Sequence, residues 1–237
     1  MLAVVLAGGR GSRLLPYTAV IPKPLMPIGE QTVIEILLRQ LAHHGVRDVL
    51  MCVGYQAHLI QAVIGDGARL GLSVAYRRED QPLGTVGPLR EVQGELPERF
   101  LVLNGDILCD LDFAEFHRQA AASGAALTVA AFERQSRIDL GVLDLDDGGR
   151  VTGFREKPTY TFWVSMGVYA MSRRVLDFIP AGRAFGFDDL MHALLAADEP
   201  IATHRFSGHW LDIGRSDDFA AAQDEFLRHA DRYVLGG

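Results

Sequence analysis

The chain has 237 residues, enough for one large core or two small ones. Apolar residues make up 49% of it and charged residues 22%, the balance of a water-soluble globular domain. The formal net charge of −7 excludes a broad nucleic-acid surface, because such surfaces are basic, but leaves room for a small phosphate site served by a few local cations.

Met1-Leu2-Ala3-Val4-Val5-Leu6-Ala7 is an apolar run that turns to glycine. It is too short for a membrane span and lacks the basic start of a signal peptide, so it reads as a buried strand over 2–7 with no membrane partner. A glycine-rich loop follows. Thr32 and Glu35 then stand at capping-box spacing ahead of a helix through Ile34–Leu41, closed by Gly45. Val49–Val53 is a second buried strand, Ala57–Ile64 a helix and Ser73–Tyr76 a third strand. Phe100–Leu103 is a fourth, ending in Asn104-Gly105-Asp106. A helix from about Phe113 to Ala122 precedes a strand over Leu127–Phe132.

Residues 140–170 change character: three short strand-like runs surround a turn at Asp147-Gly148-Gly149, as in an antiparallel insertion beside the main sheet. The tail returns to helix, strand and helix, with Trp210-Leu211-Asp212 at a strand end. Cys52 and Cys109 each sit in an apolar run with neither disulfide nor metal-ligand spacing, which fits a reduced, cytoplasmic compartment. The eight histidines form no metal-spaced set; adjacent His43 and His44 face different directions on their helix.

Repeated strand–helix–strand order implies right-handed crossovers, and so an α/β fold with a mainly parallel, Rossmann-like sheet and helices on both faces. Ligands in such sheets bind at the carboxyl ends of the strands, where the Gly8 loop and Asp106 fall. With no repeat or clear linker, the expected organisation is one domain over 1–237. Its nucleotide-binding lobe covers about 1–110 and its sugar-binding lobe about 111–237.

Leu6-Ala7-Gly8-Gly9-Arg10-Gly11-Ser12-Arg13-Leu14 is the most informative segment. Three glycines in four positions let backbone N–H groups approach phosphate oxygens unobstructed. The spacing is not that of a P-loop. It also fails the dinucleotide fingerprint, because Leu14 stands where the last glycine belongs. The glycines alone are equally compatible with a plain strand-to-helix turn. Pro16, Pro22 and Pro24 restrict the backbone between Arg13 and Lys23, which points to a stiff loop holding both cations over the strand ends. Cations there can neutralise a triphosphate and the charge growing on departing pyrophosphate.

Gly8-Gly9-x-Gly11-Ser12-Arg13-Leu14-x-Pro16-x-Thr18 with Pro22-Lys23-Pro24-Leu25 resembles the signature of the sugar-nucleotide pyrophosphorylases, the sugar-1-phosphate nucleotidyltransferases. Later segments resemble that family in the same order, so the likeness covers almost the whole chain. It implies that Arg13 is the principal catalytic cation and that Lys23 contacts the phosphates, with Leu6, Ala7, Gly8, Gly9, Gly11 and Ser12 at the nucleotide. Gln81-Pro82-Leu83-Gly84-Thr85 resembles the loop that meets the nucleoside, giving Gln81, Gly84 and Thr85 a nucleotide-binding role. Thr85 also reads as a helix cap with Pro88 in the first turn.

Asp106 at a strand end is a natural hard-oxygen ligand for Mg²⁺. Asp212, in Trp210-Leu211-Asp212-Ile213-Gly214, is its partner by family likeness. The resemblance also places Gly105, Gly141, Glu156 and Lys157 at the sugar phosphate. Ser165-Met166 departs from the pattern, since many relatives carry asparagine and alanine there, so Ser165 marks an altered sugar contact.

The expected activity is transfer of a nucleoside monophosphate from an NTP to a sugar 1-phosphate with Mg²⁺, releasing pyrophosphate. GTP is favoured as nucleotide by likeness to the mannose- and heptose-phosphate guanylyltransferases, whose short form this length resembles. Thymidylyl, uridylyl or cytidylyl transfer to another phosphorylated acceptor, and a non-catalytic nucleotide-sugar-binding regulator, are the alternatives. No hexapeptide-repeat tail is expected. A homo-oligomer fits the family, many of whose members are dimers or tetramers.

Overall fold

A computed structural model describes residues 1–213 and 216–233. In chain order the strands of the first half are β1 (Leu2–Ala7), β2 (Pro27–Ile28), β3 (Gln31–Thr32), β4 (Asp48–Val53), β5 (Ser73–Arg78), β6 (Arg99–Asn104) and β7 (Ile107–Cys109). Those of the second half are β8 (Leu127–Arg137), β9 (Gly141–Leu145), β10 (Val151–Glu156), β11 (Thr159–Ser172), β12 (Ile201–Phe206) and β13 (Trp210–Asp212). The helices are α1 (Val33–His43), α2 (Ala57–Ile64), α3 (Gly87–Glu91), α4 (Phe113–Ser123), α5 (Phe187–Ala196), α6 (Ser216–Arg228) and α7 (Ala230–Tyr233).

Seven strands form the central sheet in the order β12-β8-β11-β6-β1-β4-β5. Its pairings are parallel except on the two sides of β11, which runs antiparallel to β6 and β8. Strand alternation sends Ala3, Val5 and Ala7 of β1 into one core with Ile34, Leu37, Leu38 and Leu41 of α1. It sends Val4 into a second core with Leu89 of α3 and Leu190 and Leu194 of α5. Both faces of the sheet are thus covered, which is why β1 is apolar at every position.

Helix α1 begins as its sequence implies. The Thr32 side chain accepts from the Glu35 backbone N–H, and the Glu35 carboxylate accepts from the Thr32 backbone N–H. Gly45 follows the helix in a left-handed conformation at φ +81°. The far side of α1 packs Val33 and Ile36 against Leu108, Ala222 and Phe226, tying α6 to the body.

The region 140–170 differs from its expected form. β9 and β10 make a two-stranded hairpin, but the third run belongs to the 14-residue β11, which enters the middle of the central sheet. β8 likewise continues to Arg137, so that Glu133–Arg137 and Thr159–Trp163 form an antiparallel arm. Glu133-Arg134-Gln135-Ser136-Arg137 carries no apolar alternation. Its strand form comes from backbone bonds to β11, which do not depend on side-chain polarity. A bulge between Ser165 and Tyr169, with Gly167 at φ +77°, separates arm from sheet.

Cys52 and Cys109 are buried in the sheet core. Burial pushes both thiols up to about 12. Neither should react with a disulfide reagent at pH 8 in the native protein, and both should react once denaturant is added. Thr32→Ala should lower unfolding stability by about 1 kcal/mol, read from the denaturant midpoint.

Candidate active site

The parallel strands of the first half end level. Ala7 pairs with Val53, Val53 with Arg78, and Leu6 with Asn104. The residues that follow, Gly8, Gly54, Glu79 and Gly105, therefore meet at one edge of the sheet. Three backbone bonds fasten that edge: Gly105 N–H donates to Leu6 O (2.9 Å), Tyr55 N–H to Gly8 O (3.2 Å) and Glu79 N–H to Val53 O (2.9 Å).

Here lies a cleft of about 660 Å³. Its walls include all six residues expected from the first loop, namely Leu6, Ala7, Gly8, Gly9, Gly11 and Ser12, together with Arg13, Lys23, Gln81, Gly84, Thr85 and Asp106. Gly11 is left-handed at φ +62°, and its carbonyl accepts from the Thr18 hydroxyl at 2.8 Å. Tyr55 Oη and Gln56 Nε2 donate to Ala19 O at 3.1 and 3.2 Å, and Arg10 lies over the Tyr55 ring. These contacts, with the prolines, hold the loop between Arg13 and Lys23 as the sequence implies.

Lys23 and Asp106, 83 residues apart, form an ion pair whose lysine side chain is only 11% exposed. The strand order brings Asp212 to the same place: β13 pairs antiparallel with β7, setting the Asp212 backbone opposite Ile107, next to Asp106. The Asp212 side chain and Gly214 lie outside the described residues. Among the described residues no three His, Cys, Asp or Glu groups gather as a ready metal site. Asp106, with oxygens on the cleft wall, is an oxygen donor of the kind Mg²⁺ takes in ones and twos beside phosphates and water.

Thr85 is not a helix cap. α3 starts at Gly87 with Val86 as its N-cap, no side chain caps it, and Thr85 lines the cleft instead. The cause is a backbone clasp: Val86 and Gly87 N–H both donate to Phe185 O, and Phe185 N–H donates to Leu83 O. Gly84, at φ +75°, passes so close that a Cβ there would lie 2.7 Å from Phe185 O.

The sugar-phosphate candidates are more dispersed. Gly105 packs behind the first loop, where a Cβ would lie 3.2 Å from both Ala7 Cβ and Leu6 O. Gly141 and Glu156 face each other across the β9–β10 hairpin, and neither lines the cleft. Lys157 follows with φ +44°, a left-handed backbone that is strained for a residue with a side chain. The Ser165 hydroxyl donates to Tyr169 Oη at 3.1 Å. Burial raises the Tyr169 phenol; the Ser165 bond opposes that, and the Asp106 charge adds to it.

Glu79 and Gly54 escaped the sequence reading. Glu79 lines the cleft with one carboxylate oxygen toward Gly8 and the other accepting from Leu83 N–H at 3.1 Å. Burial raises its pKa, and the Leu83 N–H works the other way. Only its place directly after β5, level with Gly8, could have flagged it. A Cβ on Gly54 would lie 2.8 Å from Gly8 O, so the Gly8 loop can sit where it does only beside a glycine.

A family model described as Nucleotidyl transferase matches residues 2–229. The chain belongs to that family. It is 32% identical over 239 residues to the UTP–glucose-1-phosphate uridylyltransferase of Synechocystis, covering 92% of this chain and 61% of the relative. It is 32% identical over 234 residues to the mannose-1-phosphate guanylyltransferase of Mycobacterium tuberculosis, covering 95% of this chain and 64% of the relative. The chain thus spans somewhat less than two thirds of these relatives. The crystal structure of HddC from Yersinia pseudotuberculosis complexed with GMP-PN superposes with a TM-score of 0.74 at 25% identity, covering 95% of this chain and 99% of that one. No helix among the described residues is long and apolar enough to cross a membrane.

Gly54→Ala should displace the Gly8 loop and lower unfolding stability by about 1–3 kcal/mol, read from the denaturant midpoint. Gly9→Ala, whose Cβ would meet nothing within 4 Å, is the matched control and should unfold near the wild-type midpoint.

Proposed function

We propose that this nucleotidyl transferase family member joins a nucleoside monophosphate from an NTP to a sugar 1-phosphate, with GTP as its nucleotide. The observation that carries the reading is that the glycine loop, Arg13, Lys23 and Asp106 share one cleft at the ends of parallel strands. Such a cleft presents backbone N–H groups, two cations and a metal-binding carboxylate to a triphosphate. Both relatives named above act on sugar 1-phosphates by name, which supports the acceptor class.

The chemistry follows from those groups. An oxygen of the acceptor phosphate attacks the α-phosphorus in line, the new P–O bond forms, and the bond to pyrophosphate breaks. A phosphate monoester has a second pKa of about 6, so the nucleophile is anionic at neutral pH and no side-chain base is needed. Arg13, Lys23 and the loop amides hold the leaving phosphates and neutralise the charge that grows on them. Asp106 and Asp212 would hold a Mg²⁺ ion, which would supply further neutralisation of phosphate charge. The lobe after residue 110 contributes the acceptor contacts through Gly141, Glu156 and Lys157.

Glu79 supports guanine. An ionised carboxylate only accepts hydrogen bonds. Guanine offers it two adjacent donors, the ring N1–H and the exocyclic N2–H₂, whereas uracil and thymine set a single N–H between two carbonyls. The guanylyltransferase relative and the GMP-PN complex of HddC point the same way. Uridylyl transfer is the second reading, favoured by the Synechocystis relative.

Pyrophosphate release with GTP, dTTP, UTP, CTP and ATP against mannose, glucose and heptose 1-phosphates tests the reading. Release should require one nucleotide and one sugar phosphate and vanish in Asp106→Ala; no release with any pair would overturn it. Arg13→Ala should lower kcat about a hundredfold or more with a much smaller change in NTP affinity, and a loss of affinity at intact kcat would remove Arg13 from the chemistry.

Glu79→Gln should cost GTP about 1–3 kcal/mol, roughly five- to 150-fold in kcat/KM, and gain relative activity with UTP. Guanine affinity should fall as pH falls through the raised Glu79 pKa, an effect absent from Glu79→Gln. The sign for stability is opposite. Burial favours the protonated acid in the folded chain, so charging Glu79 costs stability as pH rises from its unfolded value through its folded one.

A further inference from the structure

Gln56 is held in a form that its own neighbourhood does not reward. It is the N-cap of α2 with a left-handed backbone, φ 51° and ψ 33°, which a residue with a side chain rarely adopts. Its side chain makes no cap bond to the helix. The amide reaches back 37 residues instead, where Nε2 donates to Ala19 O at 3.2 Å. Its Oε1 is buried with no hydrogen-bond partner among the described residues. A strained backbone, a forgone cap and an orphaned acceptor each lower stability, so local packing does not explain the arrangement.

The Ala19 end explains it. Tyr55 Oη donates to the same carbonyl at 3.1 Å, the Tyr55 backbone N–H donates to Gly8 O at 3.2 Å, and the Tyr55 ring lies under the Arg10 guanidinium. Two adjacent residues beyond β4 thus grip the glycine loop at Gly8 and the cation loop at Ala19, between Arg13 and Lys23. Leu15, Tyr17 and Val20, around Ala19, are all more than half exposed. Apart from the Thr18 hydroxyl on Gly11 O, the middle of this loop is therefore fixed by the clasp rather than by apolar packing. Tyr55 lines the cleft and Gln56 does not. We propose that Gln56 and Tyr55 are positioning residues for the transfer: the strain at Gln56 is kept because its amide, with the Tyr55 hydroxyl, sets the loop that carries Arg13 and Lys23 before the nucleotide arrives. Cations already in place need not be ordered during the reaction. The inference rests on the reading of Arg13 and Lys23 above.

The test measures steady-state kinetics and denaturant midpoints for Gln56→Gly and Tyr55→Phe, each alone and combined with Arg13→Ala. Gln56→Gly relieves the left-handed backbone and loses one hydrogen bond, so it should unfold near the wild-type midpoint yet lose about tenfold in kcat. Tyr55→Phe keeps the ring under Arg10 and should lose about threefold or more in kcat. With Arg13 already alanine, either change should cost less than about twofold further, because its effect passes through that cation. If Gln56→Gly does not fold, Tyr55→Phe decides alone. A kcat within about twofold of wild type in the single variants overturns the positioning role, and so does a loss undiminished in the Arg13→Ala background; the reading of Arg13 stands in both cases if Arg13→Ala by itself has lost turnover. Intact kcat in Arg13→Ala overturns both.

Discussion

The level ending of parallel strands β1, β4, β5 and β6 is the constraint on which the rest of this protein depends. Parallel pairing fixes every strand's direction, so four separate chain segments leave the sheet at one edge. What emerges there differs in chemistry: a glycine loop, a second glycine, a carboxylate, and an Asn-Gly-Asp turn. Because β1, β4 and β6 are buried along both faces, a slip of one residue would draw a flanking polar or glycine residue into the core, and the register of the site inherits that cost. The cleft is therefore held by the same apolar packing that holds the fold.

Electrostatics within the cleft follow from that convergence. Lys23 and Asp106 come from different elements and meet part-buried on the wall of the cleft. Each charge offsets the desolvation of the other, which an isolated buried charge could not tolerate. An incoming triphosphate brings its own negative charge, and in the proposed function it competes with Asp106 for Lys23. The carboxylate is thereby freed for a cation. Burial makes the Glu79 charge costly and raises its pKa, and the Leu83 N–H that it accepts from opposes this only in part.

Within the central sheet, one long strand joins the second half to the first. β11 carries the chain from the exposed arm into the centre of the sheet, beside β6 and so beside the strand that delivers Asp106. The bulge at 165–169 lets one strand serve two surroundings, an open arm and a buried core. Ser165 sits at that junction, bonded to Tyr169, whose ring stacks on Phe187 of α5 at 4.1 Å. The arm and the cleft at the sheet edge are thus linked through β11 rather than through a loop.

Much of this was written in local chemistry. β1, α1 with its capping box, β4, α2 and the glycine loop declare themselves by apolar pattern, cap spacing and glycine count, because each is decided by residues within a turn or two of one another. Arg13, Lys23 and Asp106 were legible for the same reason, as charged residues in stiff loops or at the end of an apolar strand. Tertiary structure alone decided what depends on distant segments. Gly54 must be glycine because Gly8 crosses it, Thr85 lines the cleft because Phe185 clasps its loop, and Glu133–Arg137 is a strand because β11 pairs with it. Glu79 becomes a wall of the cleft because β5 ends level with β1. Side-chain pattern records which face of an element is buried, but not which remote backbone will lie against it, and it is that contact which turns an ordinary residue into part of a site.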